Sequence, residues 1–247
     1  MAASSVPGYR VILFDDLGKP MITVTAATAT AASRLPIRNA MPAHLGTGDR
    51  HAAGEQRSFA AGDELFVEGQ PADFFYKVIS GTVRTSKLLS DARRQIDSFH
   101  LAGDTFGFES ARDYSFTAEA VEDTIVALFR RSSFRSLTQD QPAFADQLMS
   151  AMVASLRRAR DHMLLLGRKT PMEKMAMFLL DIAGRLQKGD RFDLPMRRTD
   201  IADHLGLTKE TVSRTLTQME RDGLIKLEAI GRTIFLNDKA SLRRLNA

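Results

Sequence analysis

An α+β chain with its strands first and its helices last is what the 247 residues predict. Three observations carry that prediction. Short β-rich runs punctuated by glycine fill the stretch from Arg57 to Arg130, and an apolar stripe of helical period runs from Gln141 to Gly167. Between Arg198 and Thr217, a small residue, a glycine and a β-branched residue recur at fixed offsets. The length suits about two domains of ordinary size.

Residues 1–45 alternate small and polar side chains, as in TVTAATATAAS, with prolines and no sustained period. They predict a flexible arm with one short strand over 10–14. From residue 46 to 138 the pattern changes to SFAAGDELFVEGQ, FFYKVISGTVRTSKLL, RQIDSFHLAGDTFGF and FTAEAVEDTIVALF. Gly62, Gly69, Gly81 and Gly103 fall at the ends of these runs, where a tight turn needs a residue that tolerates positive φ. Closely spaced strands of this kind make a sandwich, barrel or roll. Leu65, Val67, Val78, Ile79, Val83, Ile96, Phe99, Phe106, Val121, Val126 and Leu128 are its candidate core. Burying one such side chain stabilises by roughly 1.5–3 kcal/mol.

Residues 139–167 predict one long helix: Pro142 suits a first turn, and neither glycine nor proline interrupts it before Gly167. Phe144, Leu148, Met152, Leu156, Ala159, Met163 and Leu166 follow at steps of three and four, with Arg157, Arg158, Arg160 and Asp161 beside or opposite them. Such a stripe serves either a helix packed on its own domain or a two-fold coiled coil. The length favours the coil, with Leu148, Met152, Leu156, Ala159, Met163 and Leu166 as its dimer interface.

Residues 168–247 hold the segment RTDIADHLGLTKETVSRTLT. Ala202 stands where two helices approach closely, Gly206 where the backbone turns, and Val212 where the chain re-enters the core. That is the spacing of a helix-turn-helix, a unit that reads DNA. Leu205 and Leu207 bracket the turn, and Thr199 and Thr208 are each placed to cap a helix N-terminus. Glu210, Ser213 and Arg214 share one helical face. An arginine can bond guanine O6 and N7 together, a carboxylate can accept from cytosine N4, and a serine can meet either kind of base edge. These three are the candidate base readers. An acid in a first helical turn also favours the macrodipole, which gives Glu210 a second role. Arg198, Thr199, Thr208 and Lys209 are assigned to phosphates. After Gly223 the alternation LIKLEAIGRTIFL predicts a two-stranded wing that turns near Ile230 and Gly231. Arg232, near its tip, is either a further phosphate contact or a solvated arginine.

Charge supports that division. From Arg168 onward sixteen basic residues face eleven acidic ones, while the rest of the chain is nearly balanced. A cationic domain gains salt-dependent affinity for a phosphate backbone of any sequence. No apolar run approaches the ~18 residues of a membrane span, and the N-terminus lacks the layout of a signal peptide, so a cytoplasmic protein is expected. The chain has no cysteine, and its 5 histidines show no metal-ligand spacing, so neither disulfide nor metal is expected. No nucleophile elbow, phosphate loop or HExxH motif is present. A cupin-type enzyme needs several inward histidines, whereas the strand-rich region offers His100, so no catalytic function is expected.

From about residue 50 onward, the order of glycine-punctuated strands, long helix, second helix (TPMEKMAMFLLDIAGRLQ), short strand and winged helix-turn-helix resembles the CRP/FNR superfamily of bacterial transcription regulators. RRTDIADHLGLTKETVSRTL is most similar to its FNR and FixK branch. The resemblance implies a cyclic-nucleotide-binding-like β-roll, a double-stranded β-helix, over the strand-rich region. It implies a homodimer in which Glu210, Ser213 and Arg214 contact a TTGA-type half-site, and activation through RNA polymerase. Members that bind cyclic AMP carry a glycine-glutamate pair and, about ten residues later, an arginine followed by serine or threonine. In GDTFGFESARDYSFTAEA, Gly107 is followed by Phe108, Ser115 and Phe116 stand where the arginine pair is wanted, and Asp113 adjoins Arg112. Burying an anion without an opposing charge costs several kcal/mol, so cyclic-nucleotide binding of that kind is not expected. The N-terminal cysteines of iron-sulfur oxygen sensors are also missing, and no cofactor is expected. An effector-independent regulator is the simplest reading. The alternative is a small-molecule effector held between roll and long helix.

Overall fold

The computed structural model describes residues 10–14, 20–25, 54–186, 189–228 and 232–245. The chain forms two units, residues 1–46 and 47–247. In the first, β1 (Arg10–Phe14) pairs antiparallel with β2 (Pro20–Thr25), Ile12 opposite Thr23. The sequence predicts the first of these strands and misses the second. PMITVT is β-branched, but it begins on a proline, which belongs at a strand's first residue, and runs directly into the small-residue tract.

In the second unit, β3 (Glu55–Phe59), β4 (Glu64–Phe66), β5 (Phe74–Ser80), β6 (Thr82–Leu88), β7 (Arg94–Leu101), β8 (Thr105–Phe106), β9 (Thr117–Ala120) and β10 (Thr124–Arg130) follow one another. They form two four-stranded antiparallel sheets, ordered β3-β10-β5-β8 and β4-β9-β6-β7. Tyr76, Val78, Phe106, Val126 and Leu128 from one sheet meet Phe66, Val83 and Ala118 from the other. The sharp turn from β5 to β6 is made by Gly81 at φ 85°, where a Cβ would lie 2.6 Å from the Asp123 carbonyl oxygen.

Most of the expected core is buried, and the exceptions follow the strand period of two. Phe66 takes the inward position of β4, which leaves Leu65 and Val67 beside it partly buried. Val78 points inward, so its neighbour Ile79 is turned outward and stands 44% exposed. Ile96 and Phe99 are buried, but with Leu101 they leave the roll and pack against the helices that follow.

A 3-10 turn (Arg131–Ser133) leads into α1 (Phe134–Asp140) and the long α2 (Pro142–Arg168). Pro142 opens α2, as the sequence predicts, at a position whose missing N–H costs no helical bond. The expected stripe divides in two, however. Leu148 is 5% exposed and packs with Phe75, Ala127, Phe129 and Leu137 of its own chain. Leu166 is partly buried against the C-terminal core. The assignment of Leu148 to the dimer interface is therefore corrected, because that side chain is enclosed by its own chain, whereas Leu166 keeps a part-exposed surface. Met149, Val153, Leu156, Met163 and Leu164 instead form the outer edge, each more than half exposed. Met152 lies between the two edges, half-buried, and Ala159 is exposed.

The rest comprises α3 (Pro171–Leu186), β11 (Arg191–Asp193), α4 (Arg198–Leu205), α5 (Lys209–Arg221), β12 (Ile225–Glu228), β13 (Thr233–Leu236) and α6 (Lys239–Arg244). The wing strands β12 and β13 pair as expected, Leu227 opposite Ile234, and β11 adds a third strand on the other side of β13. The turn expected near Ile230 and Gly231 lies outside the described residues. Met175, Phe178, Leu179 and Ile182 of α3, with Ile201, Leu205, Val212, Leu216 and Met219, complete a core that Ile96, Phe99 and Leu101 enter from β7. Strand-rich and helical parts thus share one apolar cluster. No helix among the described residues is long and apolar enough to cross a membrane.

Candidate nucleic-acid interface

Helices α4 and α5 owe their crossing to small and rigid residues at the contact. Ala202 is 3% exposed and Val212 0%, while Ile201, Leu205, Leu216 and Met219 close the space around them. Gly206 ends α4 at φ 63°, ψ 43°, the left-handed conformation that suits glycine at a helix C-terminus. The N–H of Leu207 then returns to the Ala202 carbonyl at 3.0 Å. From below, buried Lys174 donates from Nζ to the Leu205 carbonyl at 3.1 Å, placing a cation at the negative end of α4.

Thr208 caps α5 as the sequence predicts, its Oγ accepting from the Thr211 N–H at 3.1 Å. Thr199 does not cap α4. That helix begins at Arg198 with Arg197 in the capping position, where the Arg197 N–H donates to Asp200 Oδ2 at 3.2 Å. Because the helix starts before it, Thr199 is left as its exposed second residue.

The buried side of α5 carries Val212, Thr215, Leu216 and Met219, which turns Glu210 and Arg214 fully outward. Ser213 lies between them, half-buried, its hydroxyl oxygen accepting from Arg198 Nη1 at 3.1 Å. Thr217 and Arg221 extend the same face by one and two turns. Sequence reasoning passed over these two, although the spacing that selects Glu210 and Arg214 reaches them. Arg197, Arg198, Lys209 and Arg232 line one cleft between this part of the chain and the roll, together with Glu119, Glu122 and Asp123, and Arg197 too was missed. Arg232 is exposed and immediately precedes β13, its carbonyl accepting from the Leu194 N–H at 2.9 Å.

One group of contacts has no signal in the sequence. Asp200 is 2% exposed and receives Arg84 at 3.0 Å and Arg94 at 2.5 Å from the roll, and Arg94 also reaches Asp203 at 2.8 Å. Gln95 donates to the His204 carbonyl at 3.4 Å, and His204 Nδ1 donates to the Ile96 carbonyl at 3.1 Å. The first helix of the reading unit is thereby clamped to β6 and β7. Within the roll, aromatic rings occupy the interior, Phe66 stacking on Tyr114 at 3.7 Å and Tyr76 on Phe106 at 5.3 Å.

Comparison with known proteins agrees with this architecture. The cyclic nucleotide-binding domain family matches residues 56–141, and the Crp-like helix-turn-helix domain family matches residues 173–245. The nitrogen fixation regulation protein FixK of Azorhizobium caulinodans is 44% identical over 201 residues, covering 79% of this chain and 81% of that protein. The transcriptional activator protein FnrL of Cereibacter sphaeroides is 36% identical, covering 75% of this chain and 78% of its own length. The structure of FixK2 from Bradyrhizobium japonicum superposes with a TM-score of 0.73 at 44% identity, covering 78% of this chain and 97% of that one. A winged helix-turn-helix behind a roll and a long helix defines a DNA-binding transcription regulator. The chain belongs to the CRP/FNR family, with FixK proteins among its near relatives.

Proposed function

We propose that this protein is a transcription activator that binds a palindromic TTGA-type site as a homodimer and recruits RNA polymerase without a cyclic nucleotide. The observation that carries the reading is the division of α5: Glu210 and Arg214 stand in solvent with Ser213 between them, while Val212, Leu216 and Met219 anchor the opposite side. Arg214 reads a guanine and Glu210 a cytosine amine, with Ser213 adding a third base contact. Thr199, Thr208, Lys209, Arg198 and Arg232 hold the phosphates and set the register.

Two subunits pair along the outer edge of α2. Met149, Val153, Leu156 and Met163 follow at steps of four, three and seven, and Arg160 fills the intervening position of the heptad. Met152 and Ala159 flank this seam. A polar residue at one core position of a coiled coil fixes its register. Pairing there sets two reading helices about one turn of DNA, roughly 34–36 Å, apart. Residues 46–138, 139–167 and 168–247 then act as support, stalk and reader.

Activation through the polymerase rests on likeness to relatives named as activators. The effector-free reading rests on Ser115 and Phe116 standing where an anion would need an arginine. The Ser115 N–H and hydroxyl are already committed to Glu109. Selection of bound sequences from a random duplex pool tests the site. A two-fold repeat of TTGA-type half-sites, unaffected by cyclic AMP, is expected. Enrichment of a single unpaired half-site, or of none, defeats the reading.

A further inference from the structure

A cavity of about 310 Å³ opens where β7, α2, α3 and α4 meet. Pockets of this size hold small organic molecules. Its inner wall is apolar, with Phe99, Phe178, Leu165 and Ile182, and beside them stand the His162 and His204 rings, stacked 4.1 Å apart. Burial pushes the His100 and His204 imidazoles down to about 3, so that wall carries no charge at neutral pH.

The hydrogen-bonding polarity of the cavity can be deduced. The Ile96 carbonyl can only accept, so His204 Nδ1, 3.1 Å away, is the donor, and Nε2 of that neutral ring is left as an acceptor. His100 Nδ1 also has no hydrogen-bond partner, but it is closed off from the cavity, its ring stacked 4.5 Å from Phe106 of the roll interior.

Charge points the same way. Arg185 is held by Asp104 at 2.5 Å and Asp181 at 2.9 Å, and Arg158 approaches Asp104 at 3.5 Å. Among the described residues, Asp97 and Asp161 at the mouth have no such cation. An imidazole acceptor stands in the depth of the cavity, and unmatched carboxylates stand at its rim.

We propose that this cavity binds an organic amine with a planar apolar body. The ring lies among Phe99, Phe178 and Ile182, a ring N–H meets His204 Nε2, and the ammonium group faces Asp97 and Asp161. The site does not depend on the DNA reading, because its test is ligand binding alone.

Tryptamine is the probe and indole-3-acetate its charge-reversed control, titrated calorimetrically into the full chain alongside thermal melting. Saturable tryptamine binding, one per chain, with a raised melting temperature and no response to indole-3-acetate is expected. Asp97→Asn should weaken binding on the order of tenfold, since it removes one nearby charge at the solvent boundary. Asp161→Asn lies on the exposed face of α2, where it cannot disturb the core, and should weaken binding in the same direction. Equal or tighter binding of indole-3-acetate overturns the proposal. So does a tryptamine affinity unchanged in both variants, or the absence of any tryptamine response at millimolar concentration.

Discussion

Replacing Asp200 by asparagine keeps the side-chain shape and removes the charge on which the clamp between reader and roll depends. The carboxylate is 2% exposed and accepts from Arg84 at 3.0 Å, Arg94 at 2.5 Å and the Arg197 N–H at 3.2 Å. Removing one partner of a buried ion pair costs about 3–5 kcal/mol. Two features reduce that figure: the Arg94 side chain is 29% exposed, and Arg84 keeps Glu119 at 2.5 Å. A loss of about 3 kcal/mol is expected, which in a unit of some 200 residues lowers the melting temperature by about 6–12 °C. Urea and thermal unfolding of Asp200→Asn, Arg94→Met and the double variant complete a cycle whose coupling should be about 1–2 kcal/mol. A single variant melting within about 2 °C of the parent, or a strictly additive cycle, refutes the claim that these charges hold α4 to the roll.

Arg214→Ala should cost about 1–3 kcal/mol of operator affinity and relax preference at one base pair, read by a selected-site profile; an unchanged profile counts against direct readout. Leu156→Glu with Met163→Glu should leave the fold intact, since both side chains are exposed, yet give monomers in sedimentation; a persistent dimer places the interface elsewhere. Leu148→Ala should instead destabilise by about 2–5 kcal/mol through a cavity, measured by urea unfolding, because that side chain is enclosed by its own chain. Acid should weaken the fold before the carboxylates titrate. His100 and His204 have folded values of about 3, below the ordinary imidazole value, so the unfolded chain takes up protons first. Their contribution is complete above about pH 6.5 and is lost as pH falls toward 3, by about 2 kcal/mol for each ring at pH 5. A urea midpoint that stays flat from pH 7 to 5 would falsify the burial of two neutral imidazoles.

The helix-turn-helix is legible because its constraints are local. Ala202, Gly206 and Val212 must be small, permissive and stiff within eleven positions, and each occupies the environment its chemistry predicts. The length of α2 is legible for the same reason, bounded by Pro142 and a run free of breakers. Which edge of its stripe is free is not legible. Leu148 and Met149 are equally apolar, and only the arrival of Phe75, Phe129 and Leu137 from distant segments decides that Leu148 turns inward. The clamp was beyond reach too, since Arg84 and Asp200 lie 116 residues apart and nothing near either announces the other. Reading Thr199 as a cap failed more simply: the helix starts before it, at Arg198, with Arg197 in the capping position.

The apolar cluster that β7 shares with α3, α4 and α5 leaves the reading head little slack. Swinging it free means wetting Ile96, Phe99, Leu101 and Phe178 at once, so the proposed dimer on its proposed two-fold site is expected to behave as a rigid caliper. One extra base pair at an operator's centre turns the far half-site by about 35° around the duplex, given 10–10.5 base pairs per turn. A welded jaw cannot follow that rotation, so such an insertion removes the second grip entirely.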